Sequence, residues 1–245
     1  MDHLQQINFY YHILNKVKFS LNLVFIFVSI TSLKVQAQSS SFLYADIATY
    51  RNTSFKINGF ASGEIGIGFL NDLWVSPQVG VQYGFGNLDD RERFQTTNDI
   101  TFKEAFLDTR FESFSYSFGL QFSLEKKRDR DLWWLFLPKV LTGSTKATSS
   151  YFVLNNDQDQ FEQRERNSSK KKLIYFSLSV GIEGNLSQNE KLSFAFLISY
   201  TTKNLENLFI DVQPRTTNLT NPQVTTQSIG LRLLIKYNPF SQKNN

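Results

Sequence analysis

From Phe114 to Leu124 the chain alternates without a break, with Phe114, Tyr116, Phe118, Leu120, Phe122 and Leu124 on one side and Ser115, Ser117, Gly119, Gln121 and Ser123 on the other. Successive side chains of an extended strand point to opposite faces, so a period of two predicts a strand with one apolar and one polar face. The same period runs through residues 73–85, 174–182, 192–200 and 229–237. Helical periodicity is nowhere sustained, and the β-branched and aromatic enrichment agrees with strands. Eight strands are predicted, at residues 42–50, 56–69, 73–86, 108–124, 132–142, 172–185, 190–202 and 226–238. The first and fifth fit least well, because Phe42 to Tyr50 and Trp133 to Leu141 do not divide cleanly into two faces. Ten strands is the alternative count.

An even number of antiparallel strands closes into an up-and-down barrel, and a tilted strand of about 9 to 11 residues crosses a bilayer. The connections add an independent signal. Links at 70–72, 125–131 and 186–189 are short, whereas those at 87–107, 143–171 and 203–225 are long, polar and expected to be loops. Short periplasmic turns alternating with long outer loops characterise outer-membrane barrels with both termini in the periplasm. Only the first link, 51–55, is short where a long one is expected.

Alternation alone does not say which face meets water, since a soluble barrel alternates as strongly with its apolar face inward. The composition of the polar face favours the membrane. A face exposed to bulk water carries long charged residues, whereas here it is mostly Ser, Gly and Gln, which suit a narrow closed lumen. The apolar face is Phe, Leu, Ile and Val, with Tyr83, Tyr200 and Tyr237 near strand ends where an interfacial girdle lies. A mean hydropathy of −0.29 is compatible, because half of each barrel strand is polar. The expected fold is therefore all-β, a closed antiparallel transmembrane β-barrel, in the outer membrane of a Gram-negative cell.

The first 37 residues read as an address. Lys16 and Lys18 precede an apolar run from Phe19 to Leu33, and Val35-Gln36-Ala37 then supplies small residues for cleavage before Gln38. The run spans 15 residues and includes Asn22, too short for a membrane helix, which needs about 20. A signal peptide over 1–37 and one barrel domain over 38–245 are expected; the stretch before Lys16 is long and not very basic for such a signal, and one explanation is a translation start nearer Leu14 than Met1. The chain is 41% hydrophobic and 15% aromatic, enough for one such domain. Of the net charge of +4, residues 1–37 carry Lys16, Lys18 and Lys34 against Asp2 (3 − 1 = +2), which leaves +2 on the remainder. That is no nucleic-acid footprint.

The motifs also resemble a family. The segment Val35-Gln36-Ala37-Gln38-Ser39, the Gly-alternating strands Glu64-Ile65-Gly66-Ile67-Gly68-Phe69 and Val79-Gly80-Val81-Gln82-Tyr83-Gly84, and the closing Gly230-Leu231-Arg232-Leu233-Leu234-Ile235-Lys236-Tyr237 resemble the PorT-like outer-membrane β-barrel proteins. Leu135-Phe136-Leu137-Pro138-Lys139 sits where that family has a Pro-centred strand, without the acidic residue before the proline. The resemblance implies a barrel in the outer membrane and no activity; one member is assigned to protein secretion.

Chemistry is limited by composition. Cysteine is absent, and both histidines, His3 and His12, fall in the segment expected to be removed. Thiolate sites, His-based triads and His-ligated metals are thereby unavailable to the mature chain. Ser113, Ser115 and Ser117 have no neighbouring base in the sequence and read as lining residues. Asp89-Asp90 and Asp157-Gln158-Asp159 lack the Gly-turned loop and terminal Glu of a calcium site. No catalytic residue, cofactor or metal is expected. The basic stretch Arg164, Arg166 and Lys170 to Lys172 reads first as a solvated loop, with lipopolysaccharide phosphate as the alternative contact. By parity Lys56, Glu64, Glu183, Arg232 and Lys236 face the lumen, where both signs predict a structural network of ion pairs, Glu64 with Arg232 foremost. An eight-strand barrel is filled by its own side chains. The expected role is thus a non-enzymatic barrel whose loops or turns meet an envelope or secretion partner as well as outer-membrane lipid. A narrow channel and a His-independent membrane enzyme are the alternatives.

Overall fold

A computed structural model describes residues 41–55, 59–71, 73–97, 100–124, 132–155, 160–186 and 191–239. The expected signal segment and Lys56 lie outside them, as do Asp157 and Asp159. Among the described residues, nine strands and one short helix follow in order: β1 Phe42–Arg51, β2 Gly59–Gly68, β3 Val75–Asn87, β4 Arg91–Thr97, β5 Ile100–Leu124, β6 Leu132–Asn155, β7 Gln160–Asn185, β8 Leu192–Thr201, α1 Glu206–Asp211 and β9 Ser228–Tyr237. Successive strands pair antiparallel except β3 and β4; β3 pairs with β5 and β1 with β9, so the strands other than β4 close a ring of eight. The expected count holds for that ring. The ninth strand, β4, pairs only with the outer part of β5.

The burial pattern decides the question that alternation left open. Around the whole ring the apolar face points out, with Ile47 65% exposed, Phe118 56% and Ile174 78%, while on the opposite face Ser117 is 1% exposed and Arg232 0%. A barrel stable in water has the reverse arrangement, so this outer surface faces lipid. No helix among the described residues is long and apolar enough to cross a membrane.

Two of the long links depart from the expected loops. Residues 91–107 form β4 and the start of β5, and 143–171 continue β6 and β7, which reach 24 and 26 residues. A bilayer uses about 9 to 11 residues of each strand, so more than half of β6 and β7 stands beyond it. Past the belt the outward face is polar and the apolar alternation disappears, while inward residues such as Thr109, Ala147 and Ser149 stay buried. Ala105, Leu107 and Tyr151 form a small apolar cluster on that inner face. The link 203–225 contains α1 and no strand.

The poor alternation of β1 also has a physical cause. Its inward face is Phe42, Tyr44, Asp46, Ala48 and Tyr50, largely aromatic rather than Ser and Gly. Phe42 stands opposite Gly68 and Tyr44 opposite Gly66 on β2. A Cβ at Gly68 would lie 2.0 Å from the Phe42 ring, and one at Gly80 on β3 would lie 2.4 Å from the Tyr44 hydroxyl. The glycines of β2 and β3 therefore clear space for the rings of β1, a pairing that pins the register.

Candidate functional site in the barrel lumen

Four charged side chains from separate strands meet at mid-height of the lumen: Asp46 (β1), Glu64 (β2), Lys139 (β6) and Arg232 (β9). Strand register sets them level, since Asp46 is opposite Glu64 and Ala48 is opposite Arg232. Arg232 Nη1 lies 2.8 Å from Asp46 Oδ2 and 3.5 Å from Glu64 Oε2, while Lys139 Nζ lies 2.7 Å from Glu64 Oε1 and 3.6 Å from Asp46 Oδ2. Tyr44 and Ser117 each donate a hydroxyl to Glu64 Oε1 at 2.6 Å, and Arg232 Nη2 donates to the Tyr50 hydroxyl at 3.1 Å. Two carboxylates and two cations balance, and all four side chains are fully enclosed. Burying four charges costs desolvation, which their mutual pairing offsets.

Glu64 and Arg232 do share this cluster, but the nearer partner of Arg232 is Asp46, and Glu64 is held chiefly by Lys139. The other lumen charges form a second pair toward the end where the described chain begins and ends. Lys236 bonds Glu183, which also accepts the Trp133 indole N–H at 3.3 Å and the Ser193 hydroxyl at 2.6 Å. The two groups are separate. Asp46, Lys139 and Trp133 escaped the parity argument because both faces of β1 and β6 are apolar around them.

The opposite mouth is closed differently. Phe55, Phe60, Phe111, Leu205, Leu208 and Phe209 form a buried cluster that brings α1 over the ring. Beneath it, Lys203 directs its ammonium to the Ser113 hydroxyl at 2.5 Å and lies 4.9 Å from the Phe111 ring centre and 5.4 Å from that of Tyr175. It has no ion-pair partner among the described residues. Burial without a counter-charge pushes its pKa down to about 7. In that contact Lys203 donates and Ser113 Oγ accepts, while the Ser113 hydroxyl donates to the Gly84 carbonyl at 3.3 Å, so Ser113 lines the lumen. The contact is sealed, with Ser113 and Lys203 only 3% and 5% exposed. Ser115 and Ser117 bond within the lumen, to Tyr175 and Glu64.

No three potential metal ligands gather among the described residues. Outside the bilayer, Glu165 on the extension of β7 receives the Arg215 and Thr216 backbone N–H groups at 3.0 and 3.1 Å and the Thr216 hydroxyl at 2.6 Å. The hydroxyl and those amides hold its carboxyl down at about 2. Lys171 pairs with Asp211 at 2.6 Å. The link after α1 thus covers the edge of β7 that β8 leaves unpaired beyond Ser177.

No family model and no curated protein matches the chain. Among solved structures it is similar to Neisserial surface protein A, at 12% identity and TM-score 0.36 over 81% of this chain and 96% of that one. It is similar to Ail of Yersinia pestis at 14% and 0.30 over 82% and 97%, and to a major outer membrane protein of Thermus thermophilus at 11% and 0.45 over 81% and 99%. At these values the likenesses assign nothing further to this chain. What the chain's own geometry defines is a membrane-spanning β-barrel with a side-chain-filled lumen.

Proposed function

We propose that the protein is a non-enzymatic outer-membrane barrel, akin to the PorT-like proteins, that acts through its projecting β4–β7 sheet and the link pinned to it as an envelope or secretion-associated interaction protein. The observation that carries this reading is the lumen: balanced charges at its centre and an aromatic cluster at one mouth occupy the space that a solute would need. What remains for function is surface. Both described ends lie opposite the long extensions, and the short links share their side, which supports periplasmic termini and an outward sheet. Its partners in this reading are outer-membrane lipids, lipopolysaccharide among them, and an envelope protein. Reconstitution in planar bilayers tests the filled lumen: no stable single-channel steps are expected, and regular steps would turn the reading to a narrow channel. Outer-membrane fractionation tests location, with faster migration of unboiled protein on a denaturing gel as the mark of the closed barrel.

A further inference from the structure

Just beyond the apolar belt, the outward face of β5–β7 carries a group of cations that the lumen network does not use. Strand register places Glu112, Lys146 and Lys170 in one row, Phe114, Ser144 and Lys172 in the next row toward the belt, and Arg110, Thr148 and Ser168 in the row above. Below Lys172 on the same face comes Ile174, which is lipid-facing. Neighbouring strands lie about 4.8 Å apart and alternate residues about 6.6 Å, so one anion reaches Lys146, Lys170 and Lys172 together. Lys146 and Lys170 oppose each other directly, and like charges so placed destabilise a sheet unless an anion lies between them. Glu112, opposite Lys146, and Asp108, opposite Ser150, share the face. Arg110, Lys146, Lys170 and Lys172 nevertheless have no ion-pair partner among the described residues.

A second observation lies on the same strand. Further into the belt Leu178, Val180 and Ile182 of β7, with Phe196, Ile198 and Tyr200 of β8, line an apolar groove of about 510 Å³ on the lipid-facing surface. The near end of that groove, Leu178 and Tyr200, lies about 20 Å along β7 from Lys172, so an acyl chain anchored at the lysines passes Ile174 and Phe176 before it reaches the groove. We propose that Lys146, Lys170 and Lys172 bind the phosphate of a lipid headgroup, with Arg110 at the margin and an acyl chain lying along the β7–β8 groove. Lysines near a membrane surface keep their stems on apolar side chains and their ammonium groups at headgroup level, where charge-assisted bonds to phosphate form. With the extensions outward, as proposed above, the lipid is a phosphorylated glycolipid of the outer leaflet.

The test uses the full mature protein, delipidated in neutral detergent and titrated with diphosphoryl lipid A, its dephosphorylated form, or inorganic phosphate. Retained lipid is read by native mass spectrometry, alongside the unfolding midpoint. Wild type should retain diphosphoryl lipid A and gain stability, since a ligand bound only to the folded state raises the midpoint. The other two probes should do neither. The triple variant Lys146→Gln, Lys170→Gln, Lys172→Gln should bind about a hundredfold more weakly, at about 1 kcal/mol per basic residue near an anionic surface. Lys→Arg at the three positions should preserve binding, as should Arg164→Gln, whose side chain is paired with Glu162. If the triple Gln variant does not refold, Lys170→Gln alone should still weaken retention. Equal retention by the Gln variants, equal binding of dephosphorylated lipid, or a midpoint gain from inorganic phosphate alone would each overturn the proposal. Because binding is measured in detergent, its failure is distinct from a failure of outer-membrane location, which fractionation reports.

Discussion

Two lysines of one lumen meet opposite fates. Lys139, at mid-height, lies 2.7 Å from Glu64 and 3.6 Å from Asp46, inside a group of two carboxylates and two cations. Lys203, under the aromatic cluster at one mouth, meets a hydroxyl and two ring faces and no carboxylate among the described residues. Enclosure alone therefore does not decide what a buried cation does here; the count of opposite charges around it does. The mid-lumen group is a fixed plug that resists disassembly. The mouth is a place where protonation and packing oppose each other, and it is covered by a link rather than by strands.

The largest effects should come from unbalancing the plug. Glu64→Gln leaves Lys139 and Arg232 with one carboxylate between them, and Arg232→Gln leaves Asp46 and Glu64 with one cation. Each should cost about 3 to 5 kcal/mol of unfolding free energy in detergent. A double-mutant cycle sharpens the assignment: coupling between Glu64 and Lys139 should exceed that between Glu64 and Arg232, in keeping with 2.7 Å against 3.5 Å. Additive effects for both pairs would show that the group does not act as a unit.

A charge can also be added on either side of the same strand. Phe118→Arg puts a cation into the lipid-facing belt and should cost about 2 to 4 kcal/mol. Ser117→Arg points into the lumen, removes the hydroxyl bond to Glu64 and brings a third cation to a balanced group. Its misfit is steric and electrostatic rather than one of transfer into hydrocarbon. Cysteine at 118 should react with a membrane-embedded label and cysteine at 117 should not; the reverse pattern would invert the barrel's faces.

At the mouth the sign of the pH dependence follows from the depressed pKa. Lys203 titrates near 7 in the folded state and near 10.5 when unfolded, so between these values the unfolded chain binds more protons. Stability should therefore rise with pH across that window, by up to about 2 kcal/mol between about pH 7 and pH 9. Lys203→Met should abolish this rise and raise the midpoint at neutral pH. An unchanged slope in the variant would assign the pH dependence to other groups.

The sequence made the ring of eight legible because a bilayer imposes period two on any strand that crosses it: Phe114 to Leu124 could be read face by face. The same rule put Glu64, Glu183, Arg232 and Lys236 on one face. It could not find Asp46, flanked by Tyr44 and Ala48, or Lys139, which follows Leu135 and Leu137, because those lumen faces are apolar. Lys203 lay beyond any strand, where parity has no meaning. The outer halves of β5, β6 and β7 were illegible for a related reason: their outward face is polar, and much of the buried inner face is Thr, Ser and Ala, as at Thr109, Ala147 and Ser149, which makes no apolar stripe.

The smallest effect should fall on the link after α1, and it asks whether the projecting sheet and the barrel unfold together. Glu165 fastens that link through two backbone amides and the Thr216 hydroxyl, in a solvent-exposed setting where one acceptor adds little to global stability. Its depressed pKa means that the fastening is complete at neutral pH and is lost only as the pH falls below the usual carboxylate range toward 2. Glu165→Gln weakens the oxygen acceptors without changing side-chain size. Hydrogen exchange at the Arg215 and Thr216 amides should quicken, and trypsin should cut after Arg215 sooner than in wild type. The unfolding midpoint should not move, because local opening of an exposed segment need not involve the closed ladder below it. A midpoint that fell together with faster cleavage would show that the link and the barrel form one cooperative unit, and that the mouth owes its closure to Glu165 as well as to its aromatic cluster.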